Sequence, residues 1–411
     1  MTDSIQKAWD YLWSNLFYEK TSLFYDYRVS QEKDGLISTL PCPEMVRRQI
    51  PNPCGWGIGM EDSVINNAMM LDTVVSRYLV TKDPALKPYA DKLFAGLKLC
   101  ATVSKRSGFI VRSVSPFDGV SHYINSSRDQ YTHWIYSAYR FYHSGLSDHE
   151  QKEDVKNILV SVAKRMEADV TEENDFQLLR EDGKIGIVQK MWGQLGAHEY
   201  LRLPMFYAAA FKISGDDHWK KMYLSYRDEA TVHSEKIDYE KIGGVYPVLQ
   251  MQYSLALLFD AEDDKIYKSK YRNLMKRASA HYHRQAVLYS KELCKPEHKN
   301  DFCYQYRDWR HMPAKFDGYI GQMPYYNPNQ CSLEENQSFY PVRNVGDAAA
   351  IGALCGDAPD DVISSVTNLC DRIDFDNHYS SAPLNLINAF WLLKEIKKGD
   401  MRKKSQEILR K

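Results

Sequence analysis

The sequence predicts an all-α protein built as an (α/α)6 toroid, a six-hairpin barrel with long loops at the N-termini of its inner helices. Twelve segments have helical periodicity, and segments that are apolar around most of their circumference alternate with segments that have one polar face. Strand-like runs are short, as at 108–114 and 185–188. The first three apolar helices also start at nearly even intervals, since Asp129 follows Asp62 by 67 residues (129 − 62) and precedes His198 by 69 (198 − 129).

The first hairpins establish this pattern. An amphipathic helix is predicted at about 3–19, and we expect it to pack against the last helix and close the ring. The next helix begins near Glu61 and extends to Leu79, with apolar side chains on more than one face, which is typical of an inner helix. The helix from Pro84 to about Lys105 places lysines opposite leucines, so it is predicted to be an outer helix that faces solvent.

The helix at about 126–145 has the clearest boundaries. Ser126 can cap its start, Asp129 lies in its first turn and Gly145 follows its end. Its aromatic residues cover too much of the circumference for a helix with one wet face, so we expect burial on two sides. Polar residues gather at its N-terminal end: Arg128, Asp129, Gln130 and His133. Such residues suit the floor of a polar pocket better than a core.

The rest of the chain continues the alternation. The segment 291–340, rich in Tyr, Pro and Asn, is predicted to be an irregular inserted loop. One barrel domain is expected to span 1–411, and a non-repeating helical bundle is the competing arrangement. The further helices are predicted at about 148–170, 197–213, 216–234, 246–260, 264–290, 343–355, 359–372 and 381–397.

The composition argues against several classes of partner. The chain has 411 residues and a formal net charge of -1, which gives no electrostatic reason to expect a nucleic acid or an anionic membrane. Its eight cysteines include no CxxC pair and no Cys/His cluster at zinc spacing, so neither a metal nor a cofactor is expected. The N-terminus shows no signal-peptide pattern, which predicts a cytoplasmic protein, or a periplasmic one if a signal has been cleaved.

The functional residues are expected at one face of the toroid, because parallel inner helices bring their N-termini and the preceding loops together there. Asp62 and Asp129 lie at two of these starts and are the predicted catalytic pair, since two carboxylates can supply the acid and base steps of glycoside cleavage. Aromatic residues suit stacking against sugar rings, and polar groups suit sugar hydroxyls, so the predicted partner is an oligosaccharide. The predicted substrate-binding residues are Trp56, Glu61, Arg128, His133, Trp134, Trp192, His198, Glu199, Tyr246, Trp309, Arg343 and Asp347, with loop tyrosines Tyr304, Tyr306, Tyr319, Tyr325 and Tyr326 nearby.

A purely structural interpretation of the same residues is also open. Acidic residues in a first helical turn are favoured by the helix dipole, and Ser126-x-x-Asp129 fits a shortened capping box, as does Asn344-x-x-Asp347. A buried His198 bonded to its neighbours would be as ordinary as an acid/base histidine.

On these residues the chain resembles the six-hairpin glycosidase superfamily, and within it most nearly the unsaturated glucuronyl and rhamnogalacturonyl hydrolases. Those enzymes place two essential aspartates at the starts of successive inner helices, about one hairpin apart, as Asp62 and Asp129 are here. The resemblance implies that Asp129 is the general acid, which would protonate a 4,5-unsaturated uronic acid and then activate water, with Asp62 assisting. Arg128 or Arg343 would be available for the uronate carboxylate. The chain has no clear counterpart of their Trp-Xaa-Arg-Gly signature, so a β-glucuronidase or other exo-glycosidase is equally compatible.

Two further functions are compatible with the pattern. The architecture also resembles the N-acylglucosamine epimerase-like enzymes, in which histidines at the barrel mouth transfer protons; the candidates here are His133, His198, His311 and His378. A non-catalytic glycan-binding protein would instead keep the aromatic residues without a matched acid/base pair.

Overall fold

Twelve long helices account for most of the chain and match the predicted helices in number and order. The computed structural model describes residues 3–30, 32–295, 309–311, 315–320, 322–327 and 339–409. Within these residues there is also one short helix, α2, in the proline-rich stretch that follows α1. The α-helices are α1 (Asp3–Asn15), α2 (Pro43–Arg47), α3 (Ser63–Thr81), α4 (Lys87–Thr102), α5 (Arg128–Ser144), α6 (His149–Asp169), α7 (Arg202–Ser214), α8 (Asp217–Glu235), α9 (Tyr246–Ala261), α10 (Lys265–Leu293), α11 (Phe339–Leu354), α12 (Asp360–Cys370) and α13 (Pro383–Leu409). Among the bounds that differ from the prediction, α1 ends at Asn15 and not near 19, α13 extends to Leu409 and not to about 397, and α7 begins at Arg202 and not at 197, so His198 and Glu199 precede it.

The β-structure of the described residues consists of two small antiparallel hairpins. β1 (Phe17–Tyr18) pairs with β2 (Leu23–Phe24), and β3 (Lys315–Ile320) pairs with β4 (Met323–Asn327). The second hairpin lies inside the segment predicted to be irregular, so that prediction is wrong for this part. The strand-like runs in the sequence before α5 and before α7 form loops.

Six helices, α3, α5, α7, α9, α11 and α13, form an inner ring. Each packs against the next, and α13 packs against α3, so the ring is closed. Helices α4, α6, α8, α10 and α12 lie outside it, and α1 packs against α12 and α13 to complete the outer layer. The predicted (α/α)6 toroid, with its first helix packed against the last, is thereby confirmed.

The distribution of apolar residues explains the two layers. Every residue of the inner helix α3 from Ser63 to Ser76 is buried, whereas the outer helix α8 buries a single stripe that includes Trp219 and Tyr223. An inner helix is covered on both flanks and on its outer side, so a helix that is apolar nearly all round is stable only in that position. None of the described helices is long and apolar enough to cross a bilayer.

Polar side chains hold the ring closed where α13 meets α3. Asn388 Nδ2 donates to Asp72 Oδ2 at 3.0 Å and to Thr73 Oγ1 at 3.1 Å. Arg140 on α5 forms ion pairs with Asp72 and, at 2.7 Å, with Glu395 on α13. Asp72 and Asn388 are buried, so the loss of either partner would leave an unpaired polar group away from water.

Gly346 allows α11 and α13 to approach closely. A Cβ at this position would lie within 3.0 Å of the backbone carbonyl and the Cβ of Asn385. The close approach brings Asp347 Oδ1 to 2.6 Å from Asn385 Nδ2. Packing between two inner helices thus determines the position of a buried polar pair at the N-terminal face.

The start of α5 lies one residue later than the sequence predicts. Ser127 has extended backbone angles, and its side chain accepts a hydrogen bond from the Gln130 amide, so Ser127 is the cap. Ser126 is buried, and its hydroxyl donates to the Ile110 carbonyl at 2.6 Å instead. Gly145 ends the helix as predicted, with φ at 85° in the left-handed region.

Candidate functional site

The N-terminal ends of the six inner helices surround one opening of the toroid, which we call the N-terminal mouth. Asp62 directly precedes α3, and Asp129 lies in the first turn of α5, the adjacent inner helix. Gln130 connects them in space, because it follows Asp129 in the chain and its Nε2 donates to Asp62 Oδ1 at 2.9 Å. The two predicted catalytic carboxylates therefore lie at the same face, one hairpin apart.

Asp62 does not cap its own helix. The backbone amides of Glu61 and Asp62 donate to the buried Asp26 carboxylate, at 2.8 Å and 3.1 Å, and Asn66 Nδ2 donates to it at 2.9 Å. Burial, together with the charges of Glu61 and Asp62, raises the pKa of Asp26 well above its usual range. Asp26 therefore fixes the backbone just before α3, and the Asp62 side chain makes no capping hydrogen bond to its own helix.

Asp62 is held by two donors from neighbouring elements. Gln130 donates to its Oδ1, and Arg112 Nη1 lies 3.4 Å from the same oxygen. Arg112 Nη1 also donates to the Glu61 carbonyl at 2.9 Å, which orients the guanidinium. The side chain of Asp62 retains 32% of its exposure, so it can reach a bound molecule.

Asp129 forms an ion pair with Arg202, the first residue of α7. Arg202 Nη1 lies 2.6 Å from Asp129 Oδ1, and the Arg202 side chain is almost fully buried. Burial acts to raise the pKa of Asp129, but the charges of Arg202 and Arg128 outweigh it and lower the pKa below its usual range. Asp129 is therefore a carboxylate at neutral pH, and its side chain retains 22% of its exposure.

A second ion pair joins the starts of α5 and α7. Arg128 Nη2 bonds Glu199 Oε1, and the Gly196 amide donates to Glu199 Oε2 at 3.0 Å. His198 Nε2 lies 3.8 Å from Glu199 Oε1. Burial lowers the pKa of His198, and the nearby guanidinium groups of Arg202 and Arg128 act in the same direction, so the imidazole is neutral at neutral pH.

The opposite side of the mouth contains Arg343, Asp347 and Tyr246. Arg343 Nε lies 3.4 Å from Asp347 Oδ2, and the guanidinium lies 3.9 Å above the centre of the Tyr246 ring. Asp347 is fully buried and also accepts from Asn385, and burial raises its pKa. The pKa of Tyr246 is raised well above its usual range by burial and then by the charge of Asp129, with Asp62 adding to it. Both aspartates therefore act electrostatically on the same tyrosine.

His133 lies one turn below the mouth, in the interior of the ring. Its Nδ1 bonds the Asp129 carbonyl at 2.9 Å, and its ring stacks on Tyr246 with centroids 5.7 Å apart. Burial lowers the pKa of His133 to about 4, so the ring is neutral. Its buried Nε2 has no hydrogen-bond partner among the described residues.

Three of the predicted tryptophans do not line this mouth as sugar platforms. Trp134 is fully buried, and its indole N–H donates to the Leu97 carbonyl of α4, so it packs between inner and outer layers. Trp192 is nearly buried against the rings of Tyr200 and Tyr226, at centroid distances of 5.4 Å and 4.7 Å. Trp309 is partly buried and donates to the Thr39 carbonyl at 2.6 Å.

Trp56 and Glu61 do lie beside the predicted catalytic pair. The Arg112 guanidinium lies 5.6 Å from the centre of the Trp56 ring, and the Gly57 amide donates to Glu61 Oε2 at 2.9 Å. Both side chains are partly exposed. Trp56 is thus the predicted tryptophan that is best placed to contact a bound sugar.

The remaining predicted residues lie apart from the mouth or outside the described residues. His378 is fully buried, with Nε2 3.0 Å from Ser380 Oγ and its ring against Tyr11 of the outer helix α1. Tyr319 is 70% exposed on β3. Tyr304 and Tyr306, and the side chains of His311, Tyr325 and Tyr326, lie outside the described part of the structure.

Three residues at the mouth are absent from the sequence-based prediction: Asp26, Arg112 and Arg202. Arg202 could have been predicted from the sequence, because it lies near the start of a predicted inner helix, three residues after Glu199. Asp26 and Arg112 lie in irregular segments, where no periodicity marks the direction of a side chain. The described residues contain no group of three or more His, Cys, Asp or Glu side chains arranged to hold a metal ion.

Comparisons with known proteins give distant similarities. No protein-family model matches the chain, and a search of curated proteins gives no match. Among solved structures, the GH76A alpha-1,6-mannanase from Salegentibacter sp. HEL1_6 is similar over 96% of this chain and 98% of that chain, with 11% sequence identity and a TM-score of 0.46. The cellobiose 2-epimerase from Spirochaeta thermophila DSM 6192 is similar over 85% of this chain and 96% of that chain, with 13% identity and a TM-score of 0.40. At these values the two similarities carry no information about the reaction of this chain.

Proposed function

We propose that this protein is a glycoside hydrolase that releases a terminal uronic acid from an oligosaccharide. The observation that carries the proposal is the pair of partly exposed aspartates, Asp62 and Asp129, at the starts of adjacent inner helices and connected through Gln130. Each is held by an arginine, and neither caps its own helix. A purely capping role for them is thus disfavoured, and acid/base catalysis is a function that both can serve.

The charged state of Asp129 suggests how the two aspartates divide the reaction. Asp129 is charged at neutral pH because of Arg202, so it suits the carboxylate that activates water and stabilises positive charge at the anomeric carbon. Asp62 is then the proton donor to the glycosidic oxygen as the C1–O bond breaks. This assignment exchanges the roles that the family resemblance implies, in which Asp129 is the acid.

A uronic acid is favoured over a neutral sugar by the cations at the mouth. Arg343 binds Asp347 through Nε, and its guanidinium stacks on Tyr246, which leaves the two Nη atoms of its planar fork across the mouth from Asp62 and Asp129. Its neighbours raise the pKa of Arg343, so it is always charged. We assign Arg343 to the uronate carboxylate, because Arg128 already bonds Glu199 and the Lys190 carbonyl.

The experiment compares matched substrates. The protein is incubated with three disaccharides, which end in glucuronic acid, in 4,5-unsaturated glucuronic acid or in glucose. The released monosaccharide is quantified by chromatography. We expect the uronic acid to be released, and glucose to be released at least roughly tenfold more slowly. A tenfold difference is what the loss of one charge-assisted contact would cause. The substitution Arg343→Gln should raise KM for the uronoside only. Release of none of these sugars, or equal release of glucuronic acid and glucose, would contradict the proposal.

An epimerase is the second candidate, and one observation favours it. His133 Nε2 is buried, unprotonated and without a partner among the described residues, and the neutral His198 lies beside Glu199. These imidazoles could move a proton to and from a sugar carbon. Incorporation of solvent deuterium into a recovered free sugar, without cleavage of any disaccharide, would favour this candidate over hydrolysis.

A further inference from the structure

A second cavity lies at the opposite opening of the toroid, at the C-terminal ends of the inner helices. We call it the distal cavity. It has a volume of about 320 Å³, at the low end of the range for small-molecule sites. Its lining residues come from the C-terminal halves of α3, α5, α9 and α11 and from the middle of α13.

The distal cavity is separate from the N-terminal mouth. A column of rings fills the interior between them: Tyr246 stacks on His133, His133 meets Tyr253 edge-on at 5.3 Å, and Tyr253 stacks on Tyr136 at 4.3 Å. Tyr136 forms the inner end of the distal cavity. A molecule bound there would therefore occupy a site of its own.

The walls of the cavity are apolar and its charged groups are at one side. Val75, Leu257, Ala353 and Leu392 are buried wall residues from four different inner helices. Such walls suit a hydrocarbon or aromatic body. Asp260 is exposed at the rim, and Tyr139 donates to its Oδ2 at 2.6 Å, which fixes the carboxylate towards the cavity.

The charge of the lining is negative. Asp260 and Glu395 contribute two carboxylates and Arg140 one guanidinium, and Arg140 is already shared between Glu395 and the buried Asp72. His143 is also at the rim, and burial lowers its pKa, so it adds no positive charge at neutral pH. Helices α3, α5, α9 and α11 end near this opening, so the negative ends of their dipoles point to it. Lys398 Nζ bonds the carbonyls of Leu79 and Val80 in the last turn of α3.

We propose that the distal cavity binds a small organic cation with an apolar body, an arylalkylammonium in its simplest form, with the ammonium at Asp260 and Glu395 and the ring against Tyr136. This site goes beyond the proposed hydrolase function and does not depend on it. The apolar walls would exclude a free metal ion, and the excess of carboxylates would exclude an organic anion of the same shape.

The test uses two probes of similar size and opposite charge, phenethylammonium and 3-phenylpropanoate, in isothermal titration calorimetry with the full chain at pH 7.5. We expect the ammonium to bind at one site per chain and the carboxylate to bind at least tenfold more weakly. Equal binding of the two probes, or no heat from the ammonium up to 10 mM, would overturn the proposal.

Two substitutions locate the site. Asp260→Asn keeps an acceptor for Tyr139 but removes the charge, so affinity for phenethylammonium should fall at least fivefold. Asp263→Asn is the matched control, because Asp263 is an exposed carboxylate three residues further on that pairs with Lys212 at 3.3 Å outside the cavity. Ala256→Leu, which fills the cavity without changing charge, should also abolish binding. If Asp260→Asn and Ala256→Leu both leave the affinity unchanged, the cation binds elsewhere and the assignment fails.

Discussion

Individual carboxyl groups at the N-terminal mouth differ in pKa because their nearest neighbours differ. Asp129 faces the buried Arg202, whereas Asp26 is buried near the charges of Glu61 and Asp62 and accepts hydrogen bonds from their amides and from Asn66. The first arrangement lowers the pKa of a carboxyl and the second raises it. We infer that Asp26 is a positioning residue, since it holds the backbone that carries Asp62.

Asp26→Asn tests this positioning role. The side chain of Asn accepts at its oxygen only, and its NH2 group would face a backbone N–H. Because one buried donor then loses its acceptor, we expect the free energy of unfolding to fall by about 1–3 kcal/mol. Turnover should fall with little change in KM, because Asp62 loses its position and the binding groups do not. Asp83→Asn is the control, since Asp83 accepts the Ala85 amide at the exposed start of the short 3-10 turn that joins α3 to α4. Normal turnover in Asp26→Asn would show that Asp62 does not depend on it.

His133 predicts a pH dependence of stability. Its folded pKa, about 4, is below the unfolded value near 6.5, so its stabilising contribution is complete above pH 6.5 and is lost as the pH falls towards 4. The loss over that interval is about 3 kcal/mol. Urea unfolding of the wild type and of His133→Gln at pH 7, 5.5 and 4.5 measures this loss as the difference in the free energy of unfolding between the two proteins. Parallel pH profiles would contradict this prediction, because they would show that burial does not lower the pKa of His133.

At the scale of the helices, the close contact between α11 and α13 positions part of the site. Gly346→Ala would place a methyl group within 3.0 Å of Asn385 and separate the two helices. We expect a loss of about 1–3 kcal/mol in the free energy of unfolding, as for other overpacked sites, and a weaker Asp347–Asn385 bond. Gly399→Ala on α13 is the control, because its Cβ would meet nothing within 4 Å, and alanine favours a helix by up to about 1 kcal/mol. Equal stability of the two variants would contradict the role of this contact.

The helices could be predicted from the sequence because apolar periodicity distinguishes inner from outer elements. The residues at the inner helix starts, such as Asp62 and Asp129, could be predicted because a toroid brings these starts to one face. Trp134 could not be placed correctly, since an inner helix is apolar on nearly all sides and its pattern does not show which side faces the outer layer. The β3–β4 hairpin lacks the alternation of a half-buried strand, so the pattern did not indicate it.

At the scale of the whole molecule, ring closure and function depend on the same arrangement. The contact of α13 with α3 brings the first and last inner helices together, so the mouth receives Asp62 from one end of the chain and Arg343 and Asp347 from near the other. The single-domain interpretation of 1–411 stays a prediction. In the proposed reaction, Asp62 donates a proton and Asp129 acts as a charged carboxylate.

The dependence of rate on the leaving group distinguishes the proton donor from the charged carboxylate. Aryl uronosides with a good leaving group, 2,4-dinitrophenol, and a poor one, 4-methylphenol, are cleaved by the wild type, Asp62→Asn and Asp129→Asn, with thermal midpoints measured on the same preparations. We predict that Asp62→Asn loses at least roughly 10²-fold on the poor leaving group and little on the good one, which needs no general acid. Asp129→Asn should lose at least roughly 10²-fold on both. The opposite pattern would return the acid role to Asp129, and wild-type rates in both variants would contradict the claim that this pair is catalytic.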